Sequence, residues 1–222
     1  MSMAPSLSQQ LVNLLASMLL IIAFAMLSQR RILSLIRLFA AQGLALALST
    51  GIVAHSTGQA HLYWSATLTL ALKVILLPWI LHRLIDRLNV RWDVETLLNI
   101  PATMLAGIGL AIFAFALASP ISAMASTITR ATLGIALASV LLSFLMMIVR
   151  RKAVPQVIGF LAMENGLLFA ATSATYGMPL VVELGIALDV LVGTVVFGIF
   201  FFHIRETFDS LDIRHMEKLK ED

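Results

Sequence analysis

Long, nearly uninterrupted runs of apolar residues, separated by short polar stretches, dominate the pattern along this chain. Each run is long enough to cross a hydrocarbon core of about 30 Å as a helix. The pattern therefore predicts an all-α, polytopic membrane protein with seven transmembrane helices. The predicted spans are 8–28, 32–54, 60–81, 98–118, 130–149, 155–175 and 180–202.

Composition supports this fold class. The 222 residues are 60% hydrophobic and 12% charged, with a mean hydropathy of +0.97, which is more apolar surface than a soluble domain can bury. The runs do not alternate polar and apolar residues, so they favour helices over a membrane barrel. The first ten residues contain no Lys or Arg, so the first run lacks the basic start of a signal peptide and is interpreted as a retained span.

Positive charges give the predicted orientation. Thirteen of the fifteen Lys and Arg residues fall at alternate ends of the spans or in the C-terminal tail. They are Arg30, Arg31, Arg37, Arg83, Arg87, Arg91, Arg150, Arg151, Lys152, Arg205, Arg214, Lys218 and Lys220. The positive-inside rule then places the N-terminus outside and the C-terminus in the cytoplasm. We expect a multi-pass protein of the bacterial cytoplasmic (inner) membrane.

The spans divide into three predicted parts: an N-terminal membrane half, 1–129, a three-helix unit, 130–202, and a cytoplasmic tail, 203–222. Spans two and three align loosely with spans six and seven, which places Gln42 opposite Glu164 and Lys73 opposite Asp189. Either a degenerate parallel repeat or the chance similarity of apolar sequence explains this alignment. The tail is either a solvated helix end or a docking segment for a cytoplasmic subunit.

Three charged residues lie deep inside predicted spans. Glu164 and Asp189 each lie nine residues into an apolar run, near the middle of the bilayer, and Lys73 lies within span three. Charge at that depth is costly unless it is paired, neutralised or in contact with water, so such residues are functional candidates by default. We interpret the acids as proton relays, with structural hydrogen bonding as the alternative. Lys73 is interpreted as a partner in an ion pair or relay, with a snorkelling side chain as the alternative.

Polar neighbours extend this set. Asn165 adjoins Glu164. Gln42 either forms a hydrogen bond between helices or is part of the proton path. Glu183 is either the outer mouth of the path or an interfacial carboxylate. Pro78 lacks an N–H and frees the carbonyl of Val74, so it predicts a kink or opening beside Lys73.

The remaining polar residues predict packing rather than chemistry. A small and weakly polar stripe on span five is expected to face protein, and small residues on span four are expected to permit close helix approach. The stripe consists of Thr132, Ala136, Ser139 and Ser143, and the span-four residues are Gly107, Gly109, Ala111 and Ala114. With no cysteine, no histidine pair at metal-ligand spacing, no phosphate loop and no nucleophile elbow, we expect no catalytic residue, metal or cofactor of the chain's own.

Three stretches of sequence carry a family resemblance. The run "GFLAMENGLLF", followed by "VELGIALDVLVGTVV", together with "LKVILLP" in span three, resembles the E component of hydrogenase-4. That protein is a membrane subunit of [NiFe] hydrogenase complexes related to complex I. The last three spans also resemble the K subunit of complex I and the C subunit of Mrp-type antiporters. Glu164 matches the middle-span Glu of those subunits. Asp189 matches their third-span acid, which is often Glu.

The resemblance implies a membrane-arm subunit of a proton-translocating hydrogenase-4 or formate hydrogenlyase-type complex, itself non-catalytic. Its implied partners are antiporter-like and core anchor subunits, a cytoplasmic hydrogenase or oxidoreductase arm, and the lipid bilayer, but no nucleic acid. The first alternative is a complex I-like oxidoreductase or Mrp-type cation/proton antiporter without hydrogenase activity. A structural anchor and an isolated seven-span transporter or receptor remain weaker alternatives.

Overall fold

In a computed structural model, the chain is described over residues 6–88, 96–124 and 127–175, and these residues form helices and short connections. The helices are α1 (Leu7–Ser28), α2 (Ile32–Thr57), α3 (Ala60–Thr69), a π-helical segment (Leu70–Leu76), α4 (Leu77–Leu88), α5 (Ile100–Met124), α6 (Thr127–Val149) and α7 (Ala153–Thr175). The α3, π-helical and α4 segments follow one another without a break and form a single long helix.

Within the described ranges, six helices are long and apolar enough to cross a membrane. They correspond to the first six predicted spans, and most of their ends agree within a few residues. The long helix continues to Leu88, whereas the prediction ended it at residue 81. Predicted span seven, 180–202, and the tail lie outside the described residues. The count of seven spans and the outside N-terminus stay predictions.

Helix ends follow from local sequence. Ser6 begins α1 with a capping box, in which its hydroxyl accepts from the backbone N–H of Gln9 and its own N–H donates to the Gln9 side chain. Gly58 ends α2 with a left-handed φ of 68°, a conformation that glycine adopts without steric cost. Because only Gly58 and Gln59 separate α2 from α3, the two helices are antiparallel neighbours.

Two helices organise the packing of the described bundle. The first, α6, contacts α7, α5 and α1, and the second, α2, contacts α1, the long helix and α7. In contrast, α5 is largely exposed, with apolar residues such as Leu105 and Ile112 on its surface, as expected of a helix that faces lipid. Helices on both sides of residue 129 pack against each other. The division into 1–129, 130–202 and 203–222 stays a prediction.

Small residues set the spacing between α6 and α7. The stripe predicted on span five is buried in protein, with Thr132, Ala136 and Ser139 fully covered and Ser143 nearly so. On α7, an added Cβ at Gly159 would lie 3.3 Å from the Ser143 carbonyl oxygen, and one at Gly166 would lie 3.2 Å from the Val140 nitrogen. Neither position has room for a side chain, so glycine lets the two backbones meet.

The small residues of α5 behave less uniformly. Gly107 lies against side chains of α1 and α6, and Ala114 is fully buried. By contrast, a Cβ added at Gly109 would meet no atom within 4 Å. The prediction that these residues permit close helix approach therefore holds for Gly107 and Ala114 but not for Gly109.

Arg150, which follows α6, ties together one end of the bundle. Its Nη2 donates to the backbone carbonyls of Met26 and Leu27, 3.0 Å away in each case, near the end of α1. The N–H of Leu97, ahead of α5, donates to the Val149 carbonyl. We call this region, where α1 and α6 end and α2 and α7 begin, the Arg150 end. We call the opposite region, where α2 ends and α3 begins, the Gly58 end.

Arg150 is therefore a structural residue as well as a topology signal. Only 2% of the residue is exposed. Burial lowers the pKa of its guanidinium to about 10, which leaves it charged at neutral pH. Its charge is offset by two carbonyls at the end of α1, where the helix dipole is negative; the Met26 carbonyl also accepts from the N–H of Gln29.

We expect Arg150→Met to lower the free energy of unfolding by about 2–3 kcal/mol, because two carbonyls would lose a charged donor. Arg151→Met removes the same formal charge from an exposed neighbour and serves as the matched control. Thermal unfolding of the purified protein in detergent measures the difference. Equal melting temperatures for the two variants would contradict a structural role for Arg150.

Candidate functional site

The site begins with an irregularity in the long helix. Residues 70–76 form π-helical turns, and the N–H of Leu77 donates to the Leu72 carbonyl, five residues back. Pro78 follows immediately and cannot donate to Val74, so regular α-helical bonding is already interrupted here. The opening predicted beside Lys73 thus takes the form of a π-helical segment. Lys73 is the buried residue of this segment.

Gly43 on α2 lets the backbone of the π-helical segment come close. A Cβ added at Gly43 would lie 3.1 Å from the Cβ of Lys73 and 3.5 Å from its carbonyl oxygen. The first of these contacts is tighter than ordinary van der Waals packing, so a larger residue would require the π-helical segment to shift by a few tenths of an ångström. Gly43 therefore determines how deeply the lysine backbone sits in the bundle.

Lys73 and Glu164 form a buried ion pair. The Lys73 Nζ lies 3.7 Å from the Glu164 Oε2, and the two side chains are 1% and 4% exposed. Lys73 comes from the long helix and Glu164 from α7. The two oppositely charged residues that the sequence predicted deep in the membrane are thus brought together within this chain.

Two amides lie beside the pair. The Asn165 Nδ2 donates to the Gln42 Oε1 at 3.3 Å, and both residues are fully buried. This bond joins α7 to α2 next to Gly43. Gln42, Lys73, Glu164 and Asn165 therefore form one group, which we call the charged cluster.

The charged cluster retains unused hydrogen-bonding capacity. Within the described part of the chain, the Gln42 Nε2 and the Asn165 Oδ1 have no hydrogen-bond partner. Buried polar atoms normally bond to protein or to ordered water. These two atoms, one donor and one acceptor, lie beside the ion pair and can bond to water molecules that carry protons.

The arrangement suits movement of a proton within the membrane. The amine of Lys73 and the carboxyl group of Glu164 are both of a chemical type that can exchange a proton, and they lie 3.7 Å apart. The proton-path role of these residues stays a prediction.

The predicted site residues divide into two sets. Gln42, Lys73, Glu164 and Asn165 lie together, whereas Glu183 and Asp189 lie outside the described residues. The predicted repeat aligned Gln42 with Glu164, and in the fold Gln42 bonds to the next residue, Asn165. Across the described residues, no group of three or more His, Asp or Glu side chains is placed to hold a metal ion.

The sequence analysis did not identify three buried residues on the helices that supply the charged cluster. Gly43 was overlooked although it adjoins Gln42. Buried Ser65 and Thr69 lie eight and four residues before Lys73, on the buried face of α3. That spacing from a buried lysine was the available signal, because residues four apart share a helix face.

The fold and the charged cluster define the class of protein: a polytopic helical membrane protein with a paired charge buried among its helices. The chain is 31% identical over 212 residues to uncharacterized protein Rv0085 of Mycobacterium tuberculosis, which covers 95% of this chain and 96% of that protein. The chain belongs to the same family as that protein.

A more distant relative has a name that states a function. Hydrogenase-4 component E of Escherichia coli K12 is 29% identical over 161 residues, covering 72% of this chain and 73% of that protein. The Shigella flexneri protein of the same name has the same identity and coverage. No protein-family profile and no solved structure matches the chain.

We expect Lys73→Met to lower the free energy of unfolding by about 3–5 kcal/mol, because Glu164 would lose its buried counter-charge. Adding Glu164→Gln to that variant is expected to restore much of the loss, since no buried charge would remain uncompensated. Thermal unfolding of the single and double variants in detergent measures this coupling. Arg37→Met, which removes an exposed cation from α2, is the control. A double variant no more stable than Lys73→Met would show that the two charges do not interact.

Proposed function

We propose that this chain is a membrane-arm subunit of a proton-translocating complex of the hydrogenase-4 or formate hydrogenlyase type. It is itself non-catalytic and lies in the bacterial cytoplasmic membrane. In this proposal Glu164 carries the exchangeable proton, and the charge of Lys73 regulates how tightly Glu164 holds that proton. Gln42 and Asn165 hold the connecting water. Asp189 and Glu183 extend the path through span seven.

The buried Lys73–Glu164 pair is the observation that carries this proposal. An inert membrane anchor gains nothing from such a pair, because well-packed apolar residues of similar volume are often at least as stable. Ionisable residues within membrane spans commonly mark ion pathways and proton relays. The pair therefore favours transport over a purely structural role.

The relationship to hydrogenase-4 component E supports assembly into a larger complex. The proposed partners are antiporter-like and core anchor subunits in the membrane, and a hydrogenase arm in the cytoplasm. In that arrangement metals and redox clusters belong to the partners. This chain would transmit a change of charge between neighbouring membrane subunits.

Affinity purification of the tagged chain from native membranes in mild detergent tests the assembly. We expect antiporter-like membrane subunits and a hydrogenase large subunit to co-purify, with nickel and iron in the same fraction. Mass spectrometry and metal analysis are the measurements. Antiporter-like subunits without nickel would instead favour a complex I-like oxidoreductase or cation/proton antiporter. A monodisperse chain without partners would contradict the subunit assignment.

Substitution of the acid tests the proton path. Glu164→Gln keeps the shape of the side chain but cannot release a proton, so we expect coupled proton movement per assembled complex to fall at least about tenfold. Less complex should assemble, because Lys73 loses its buried counter-charge. Proton uptake by inverted vesicles during turnover is the measurement, normalised to the amount of assembled complex. Glu164→Asp, which keeps a carboxyl group, is the control and should retain part of the activity. Normal pumping by Glu164→Gln would overturn the relay role.

A further inference from the structure

On the helices that supply the charged cluster, buried hydroxyl groups lie on one side of that cluster. Five described hydroxyl residues on these helices are each at most 2% exposed and lie between the charged cluster and the Gly58 end. They are Ser49 and Thr50 on α2, Ser65 and Thr69 on α3, and Thr172 on α7. These are the same three helical elements that supply the charged cluster.

Helix geometry places these hydroxyls at matching depths. Gly43 contacts Lys73 and Gln42 bonds to Asn165, so the three elements share a level at the charged cluster. Seven residues further along a helix correspond to about 10 Å. Toward the Gly58 end, that step leads from Gln42 to Ser49 and from Asn165 to Thr172. Ser65 and Thr69 occupy the same stretch of α3.

The opposite direction is apolar. Toward the Arg150 end, seven residues lead from Gln42 to Leu35 and from Asn165 to Ile158, and eight lead from Lys73 to Leu81 on α4. Each of these three apolar residues is at most 2% exposed. Between these residues and the charged cluster lie Phe39, Leu77, Leu161 and Ala162, all buried. On these elements, the described side chains that close this direction offer no hydrogen-bonding group. Buried Ser143 on α6 lies instead at the contact with Gly159, between α6 and α7.

Hydrogen bonding in the hydroxyl region leaves capacity for water. Ser65 is fully buried, and its Oγ has no partner among the described residues. Thr50 donates to the Leu46 carbonyl and Thr172 to the Leu168 carbonyl, so each oxygen can still accept a bond. With the Gln42 Nε2 and the Asn165 Oδ1, these atoms form a series of buried sites that water can bridge.

We infer that the charged cluster exchanges water and protons with the Gly58 end only, along the hydroxyls of α2, α3 and α7. It is closed toward the Arg150 end by apolar side chains. This inference deepens the proposed function and rests on it for its role in transport. One-sided access prevents a proton from leaking directly between the two membrane faces, which any coupled transporter requires.

Cysteine labelling tests the inference directly, because the chain contains no natural cysteine. Ser65→Cys and Ser49→Cys change little in volume and report the hydroxyl side from two different helices. Leu81→Cys and Ile158→Cys report the apolar side. Ser56→Cys and Arg151→Cys, at exposed positions, show which membrane face each end of the bundle occupies.

The measurement uses the tagged chain within its native membranes, as spheroplasts and as inverted vesicles. Each is treated with membrane-impermeant methanethiosulfonate ethyltrimethylammonium. After denaturation, a maleimide–polyethylene glycol gel shift counts the cysteines that did not react. Because thiolates react through water, we expect Ser65→Cys and Ser49→Cys to react at least about tenfold faster from the face at the Gly58 end than from the other face. Leu81→Cys and Ile158→Cys should stay unmodified from both faces.

Three results would overturn the inference: no reaction at both hydroxyl positions, equal reaction from both faces, or reaction of Leu81→Cys or Ile158→Cys from the Arg150 end. Labelling does not require turnover, so it separates this inference from the proposed function. Sided labelling together with normal pumping by Glu164→Gln would keep the water route and reject the relay. Loss of pumping without sided labelling would keep the relay and reject the route.

Discussion

Lys73 and Glu164 carry opposite charges within helices of membrane-spanning length, and neither charge is stable there alone. Transfer of an isolated ion out of water costs several kcal/mol even after the surroundings relax. The ion pair therefore constrains the positions of three helical elements at once. The long helix must present Lys73 inward, α7 must place Glu164 at the same depth, and α2 must leave room for both.

The backbone shows how that constraint is met. A regular α-helix through Pro78 would leave the Val74 carbonyl without its hydrogen bond. Here the backbone instead forms wider π-helical turns over residues 70–76, around Lys73. Gly43 then permits a close contact between α2 and this segment that a larger residue would loosen. Irregular helix, glycine and ion pair thus belong to one arrangement. π-Helical turns are uncommon and frequently accompany functional sites, which agrees with the position of Lys73.

Sequence alone predicted the helices well, because the hydrophobic effect and the bilayer thickness determine where a spanning helix begins and ends. It also identified Gln42, Lys73, Glu164 and Asn165 as polar residues within the spans, because polar groups stand out in apolar runs; their proton-path role stays a prediction. It did not establish that Lys73 pairs with Glu164, since contacts between residues 91 positions apart depend on helix packing. Arg150 shows the same limit. Its charge was interpreted through topology, and only the fold revealed that it bonds to the end of α1.

An ion pair that is open toward one face can accept a proton but cannot by itself deliver that proton to the other face. Transfer to the second face needs a further group whose charge changes during turnover. Asp189 and Glu183 are the candidates within this chain, and a titratable group of a neighbouring membrane subunit is the candidate beyond it. Under the proposed function, either source would make the Lys73–Glu164 pair one step of a longer proton path.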